Sequence, residues 1–189
     1  MIQIDPAVYI WFACLLIVLP LNWVFSALFA AVFHEACHMV ILLLLRGKIK
    51  RIHISLTGCQ IESTDLGGWQ AMCSILAGPA GSMLLMFLSQ TAPKVAVCGL
   101  FHGLYNLLPI FPLDGGRIMQ QLLFRFQPQR AEKIQRWVDW IVCLTVLIVS
   151  VSFSVVLHLG VFPVILVLLW ILRFSIRKIP CKPSQIKVQ

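Results

Sequence analysis

His34, Glu35 and His38, in the stretch AVFHEACHMV, are the residues of this chain best suited to do chemistry. On a helix, the H-E-x-x-H spacing stacks the two imidazoles on one face, where they can hold one zinc ion, while the carboxylate can reach a water bound there. As a string the motif also arises by chance in soluble helices. Here it interrupts an apolar run, where each ionisable group costs several kcal/mol, by contested figures of roughly 2.5 upward, and such groups mark functional sites. Metal binding is therefore favoured over a structural polar cluster.

A catalytic zinc usually keeps three protein ligands and one open position, so a third donor must come from elsewhere. The other carboxylate placed within apolar sequence is Asp114, in YNLLPIFPLDGGRI. Pro109 and Pro112 lack a backbone donor and disfavour helix in the residue before them, which predicts an extended segment over 108–113. Gly115 and Gly116 would let the backbone bend and pass close to a metal. Taken alone, Asp114 serves equally well as the N-cap of a helix beginning near Arg117; the HEACH segment elsewhere favours the ligand reading.

The elements that must position these residues are membrane helices. Of 189 residues, 60% are hydrophobic and 12% charged, against roughly 45–50% and about 25% in soluble domains. At about 20 residues per crossing, the composition predicts an all-α polytopic membrane protein with about six transmembrane helices. The expected helices cover about 7–20, 23–45, 69–90, 95–108, 137–157 and 161–172, with an amphipathic interfacial helix within 115–136. One membrane-embedded domain over 1–189 is expected, with core helices at about 23–116 and no separate soluble domain. The first apolar segment has no basic residue before it and no small-residue cleavage pattern after it, so it is expected to stay in the mature chain.

Charge gives the orientation. Of 15 Lys and Arg, four fall in 46–68, five in 117–136 and five in the C-terminal tail, leaving only Lys94 for the opposite side. The positive-inside rule then places both termini in the cytoplasm. The net charge of +8 follows from this placement, and nothing in the chain has the pattern of a nucleic-acid-binding module. The seven cysteines are odd in number, scattered and mostly in apolar runs, so they read as thiols.

These residues together resemble the site-2 protease family of intramembrane zinc metalloproteases, marked by a membrane-embedded HExxH and a distant N-x-x-P-x-x-x-L-D-G-type segment. Here those are His34 to His38 and Asn106, Pro109, Leu113, Asp114 and Gly115. AGPAGS, residues 77–82, looks like the family's glycine-proline motif, the match extends to the basic loop RGKIKRIHISL, and within the family the chain is most similar to the bacterial sporulation-protease branch, which has a comparable loop. Ser82 stands where family members often have Asn. The resemblance implies one Zn2+ per chain on His34, His38 and Asp114, with Glu35 as general base. It also implies a bacterial cytoplasmic membrane location and a membrane-anchored protein as substrate, while the small extramembrane mass leaves regulation to a membrane partner or to substrate availability. The implied reaction is peptide hydrolysis in or near transmembrane segments, with a sporulation-type pro-factor among the candidate substrates.

Other residues carry weaker readings. Asn106 is a candidate substrate-binding donor or a polar contact between helices, and His102, one turn earlier on the same face, reads as a packed histidine before a partner of a metal ligand or a substrate-facing donor. Ser74, Gly78 and Ser82 form a small-residue packing face, and Cys37 should point away from the metal face. Arg51 to Thr57 alternates apolar Ile52, Ile54 and Leu56 with polar residues, a β-hairpin-like segment whose edge strand is expected to pair with an unwound substrate. Two rival functions remain, a metal-ion transporter using the same donors and a catalytically inactive relative that binds membrane proteins.

Overall fold

The structure, a computed structural model, describes residues 2–4, 19–47, 49–55, 58–63 and 68–156, together with 16, 161, 164–165, 167–168 and 171. These residues form two compact units, one up to Leu107 and one beginning at Leu108.

The first unit opens with strand β1 (Ile2–Ile4) and helix α1 (Leu21–Leu44). Between Leu21 and Leu44 there is neither Gly nor Pro, so nothing interrupts the helix. It ends abruptly. Arg46 N–H donates to Leu43 O and Gly47 N–H to Leu42 O, both at 2.9 Å, the paired reversal known as a Schellman motif. Arg46 occupies its left-handed position, with φ 62°, where glycine is the usual residue.

The chain then forms β2 (Ile49–Ser55) and β3 (Gly58–Ser63), which pair antiparallel from Ile49↔Ser63 to Ser55↔Gly58. On its other side β2 pairs parallel with β1, Ile2 opposite Ile52 and Ile4 opposite Ile54. Helix α2 (Gly68–Leu84) follows and tightens into a 3-10 turn at Leu85–Leu88. Helix α3 (Pro93–Asn106) starts with proline in its first turn, where the missing donor is harmless. The helices α1, α2 and α3 pack pairwise against one another. Small residues make this close: a β-carbon on Gly81 would lie 2.2 Å from Cys37 Sγ, and one on Gly99 would lie 2.8 Å from Leu85.

The second unit contains the Pro-rich segment 108–113, helix α4 (Asp114–Phe126) and helix α5 (Ala131–Val156). Ile110, Leu113 and Cys143 form its buried apolar cluster, with Leu108, Val142 and Ile171 against it.

The expected fold class is overturned on two counts. Among the described residues three helical stretches, not six, are long and apolar enough to cross a membrane: Leu21–Leu44, Gly68–Leu88 and Ala131–Val156. Helix α3 has 14 residues, about 21 Å at 1.5 Å per residue, short of the roughly 30 Å hydrocarbon core. The expected helices at 7–20 and 161–172 lie largely outside the described residues. The chain is also not all-α, because a three-stranded sheet with order β1-β2-β3 stands where a small hairpin-like segment is expected. As β2 is its middle strand, Ile52 and Ile54 do not lie on a free edge, which corrects the expected edge strand; Leu56 lies outside the described residues. Finally, α5 begins at Ala131 rather than near 137, because its charged first turns are helical too.

Candidate metal centre

His34 and His38 are fully buried on one face of α1. Their Nε2 atoms approach to 3.1 Å, and each Nδ1 is engaged by α2. His38 Nδ1 donates to the carbonyl of Ser74 at 2.7 Å. A carbonyl only accepts, so the proton is on Nδ1 and the His38 Nε2 lone pair points toward His34. His34 Nδ1 meets Ser82 Oγ at 2.8 Å, a hydroxyl that can accept the same kind of bond and leave the second Nε2 lone pair facing the first.

Two lone pairs facing at 3.1 Å repel unless a proton or a cation lies between them. Two nitrogens on one tetrahedral zinc, at 2.0–2.1 Å each, stand about 3.3 Å apart. The spacing of the pair fits that group, and carbonyl or hydroxyl partners on Nδ1 are what orient histidine ligands.

Gly78 makes room for the pair. A β-carbon there would lie 2.1 Å from His38 Nε2 and 2.7 Å from His34 Nε2, so no other residue fits. The face of Ser74, Gly78 and Ser82, legible only as small-residue packing, thus holds both rings from α2. His102 of α3 lies edge-on to His34, with ring centroids 4.7 Å apart. Glu35, the next residue on α1, is half-buried. Cys37 faces Gly81 and takes no part in the imidazole pair. Asn106, the last residue of α3, turns its amide back to His102 O at 3.1 Å.

In the second unit, Asp114 is buried and opens α4. The segment before it is non-helical, as the prolines predict, but it is a run of turns rather than extended over 108–113: Ile110 N–H donates to Leu108 O at 2.8 Å and Leu113 N–H to Ile110 O at 2.9 Å, and Leu113 itself is extended, with φ −62° and ψ 161°. Gly116 lets α4 start against this segment, since a β-carbon there would lie 2.2 Å from the Ile110 carbonyl carbon. Three side chains secure the backbone: Arg117 Nε donates to Pro112 O at 2.8 Å, Phe111 N–H donates to Asp139 Oδ1 at 3.2 Å, and Gln135 Nε2 donates to Pro109 O at 3.3 Å. Gln135 Nε2 also reaches Asp139 Oδ1 at 2.8 Å. Asp139 reads from sequence as a water-facing residue at a helix end; in the structure it is half-buried and clamps this loop. The signal that could have found it is an acidic residue and an amide one turn apart, Gln135 and Asp139, entering an apolar helix.

The profile of Peptidase family M50 matches residues 10–149, a range that includes both the HEACH segment and the Asp114 segment. The chain belongs to this family. Among curated M50-like relatives, a Synechocystis sp. protein that carries the name of a zinc metalloprotease is 29% identical over 164 residues, covering 74% of this chain and 42% of the relative. Stage IV sporulation protein FB of Bacillus subtilis is 26% identical over 158 residues, covering 76% of this chain and 55% of the relative. The chain therefore spans about half the length of the curated relatives it matches. Among solved structures, the site-2 protease from Methanocaldococcus jannaschii shares the fold with a TM-score of 0.65 at 18% identity, covering 95% of this chain and 92% of that one.

Proposed function

We propose that this M50 chain is an intramembrane zinc endopeptidase that hydrolyses peptide bonds in or near the transmembrane segments of membrane-anchored proteins. The observation that carries the reading is the imidazole pair, His34 and His38, buried at 3.1 Å with each Nδ1 held by α2. The third ligand in this proposal is Asp114, a buried carboxylate at the start of α4. When bound, zinc polarises the scissile carbonyl and makes a water acidic enough to attack at neutral pH.

Glu35 is the general base of the proposal. It takes a proton from the attacking water and returns it to the leaving amine, a task that suits a carboxylate next to a ligand histidine. Ser82 and Ser74 keep both imidazoles turned so that Nε2 presents its lone pair. The clamp of Asp139 and Gln135 fixes the loop that leads into Asp114. Asn106 supplies a donor toward the substrate backbone. A transmembrane substrate must be unwound locally, because a helix shields its own carbonyls.

The names of the relatives support the finer assignments without carrying them. The distribution of Lys and Arg supports a bacterial cytoplasmic membrane protein with both termini inside, the family match over 10–149 supports one catalytic domain, and the likeness to stage IV sporulation protein FB supports a sporulation-type pro-factor as substrate. The test is zinc per polypeptide in detergent-purified protein, wild type beside Asp114→Ala, followed by cleavage of a membrane-anchored reporter. One zinc that is weakened in the variant, with cleavage dependent on it, is the expected outcome. Zinc without cleavage of any reporter favours an inactive binding relative, and zinc flux into vesicles favours a transporter.

A further inference from the structure

The second unit has a groove of about 700 Å³ lined by Phe124, Lys133, Arg136, Trp137 and Trp140, with Glu132 and the turn at Pro128 and Gln129. It lies where α4 ends and α5 begins. The charges of α5 are confined to its start, Glu132, Lys133, Arg136 and Asp139, and residues 140–156 carry none. That uncharged stretch extends about 25 Å at 1.5 Å per residue, so the boundary between hydrocarbon and water falls beside Arg136 and Trp140.

The surface at this boundary is basic. Arg125, Arg130, Lys133 and Arg136 are all exposed, against a single carboxylate at the groove, Glu132, which pairs with Arg136 at 3.4 Å. Trp137 and Trp140 are 64% and 62% exposed, far above what packing would leave on a helix face covered by its own chain. Exposed tryptophans beneath exposed cations, at the level where a span meets water, match an interfacial lipid: the indoles lie along the upper acyl chains and glycerol, and the cations face the phosphate.

We infer that this groove binds the headgroup of an anionic phospholipid of the surrounding bilayer, with Lys133 and Arg136 on the phosphate and Trp137 and Trp140 against the glycerol and upper chain. A zwitterionic lipid brings its own cation and gains less from the pair. The inference is independent of the metal centre, none of whose proposed ligands lines the groove.

The test places the full chain in nanodiscs of phosphatidylglycerol and phosphatidylcholine and counts the lipids retained per protein by native mass spectrometry. Wild type is compared with a Lys133→Gln, Arg136→Gln double variant and with Lys94→Gln, which removes a cation remote in sequence from the groove. Both groove cations are exposed, so the fold should persist, and a thermal melt of each variant checks it. The expected result is preferential retention of phosphatidylglycerol by wild type and Lys94→Gln, weakened roughly 25-fold in the double variant, from about 1 kcal/mol per cation near an anionic surface. Equal retention of the two lipids by wild type, or undiminished retention by the double variant, would overturn the assignment. Displacement of the lipid by inorganic phosphate alone would also overturn it, in favour of a site for free anions.

Discussion

Ser82 of α2 touches His34 of α1 through its hydroxyl, Oγ to Nδ1 at 2.8 Å, across forty-eight positions of sequence. Removing that contact leaves the imidazole free to turn or to change tautomer. Ser82→Ala should therefore lower zinc affinity by about 10- to 100-fold, the usual cost of losing an outer-shell partner. Competition titration against a chelating dye measures this directly, and an unchanged affinity would remove Ser82 from the machinery.

Gly78 should be stricter. Its Cα faces both Nε2 atoms so closely that one added methyl would overlap His38 Nε2 at 2.1 Å. Gly78→Ala should abolish zinc binding while circular dichroism still reports the helices, because alanine is itself a good helix former. Zinc bound at wild-type strength would show that the rings have another way to meet.

The pair Asp139→Ala and Asp139→Asn separates shape from charge. Alanine leaves the Phe111 N–H without its acceptor, at a cost of about 1–3 kcal/mol if the group stays buried, and loosens the loop before Asp114. Asparagine keeps a carbonyl oxygen in the same place. Zinc affinity and the thermal midpoint should fall together in the alanine variant and recover in the asparagine variant; equal losses in both would mean that the charge itself matters.

Glu35→Gln should retain zinc and lose cleavage by about 10²- to 10⁴-fold, the range over which a positioned proton-transfer group acts. Metal content and reporter cleavage measured on one preparation decide it. Full activity would refute the assigned base.

The sequence discloses what local spacing controls. Residues four apart on a helix share a face, so the convergence of His34 and His38 is readable from HEACH, and two prolines announce that no helix runs through 108–113, though not that turns replace the expected extended backbone. It does not disclose which neighbouring helix supplies the partners of Nδ1. Ser74, Gly78 and Ser82 have the spacing of any close-packing face, and only the pairing of α1 with α2 turns that face toward the imidazoles. Asp139 is obscured in the same way, since its acceptor role depends on a backbone donor at Phe111, far away in sequence. The count of spans goes astray because apolar composition alone does not say how helices are cut, and α3 is apolar but too short. The order of the sheet has no local signal at all, since parallel pairing of β1 with β2 joins segments fifty positions apart.

That last pairing sets a timetable for synthesis. Ile2 to Ile4 leave the ribosome before α1, yet their partners, Ile52 to Ile54, emerge only after the whole of it. Closing so long a loop carries an entropic cost that must be met before any ladder bond forms. The sheet is thus a late product, which can close only once α1 has been made.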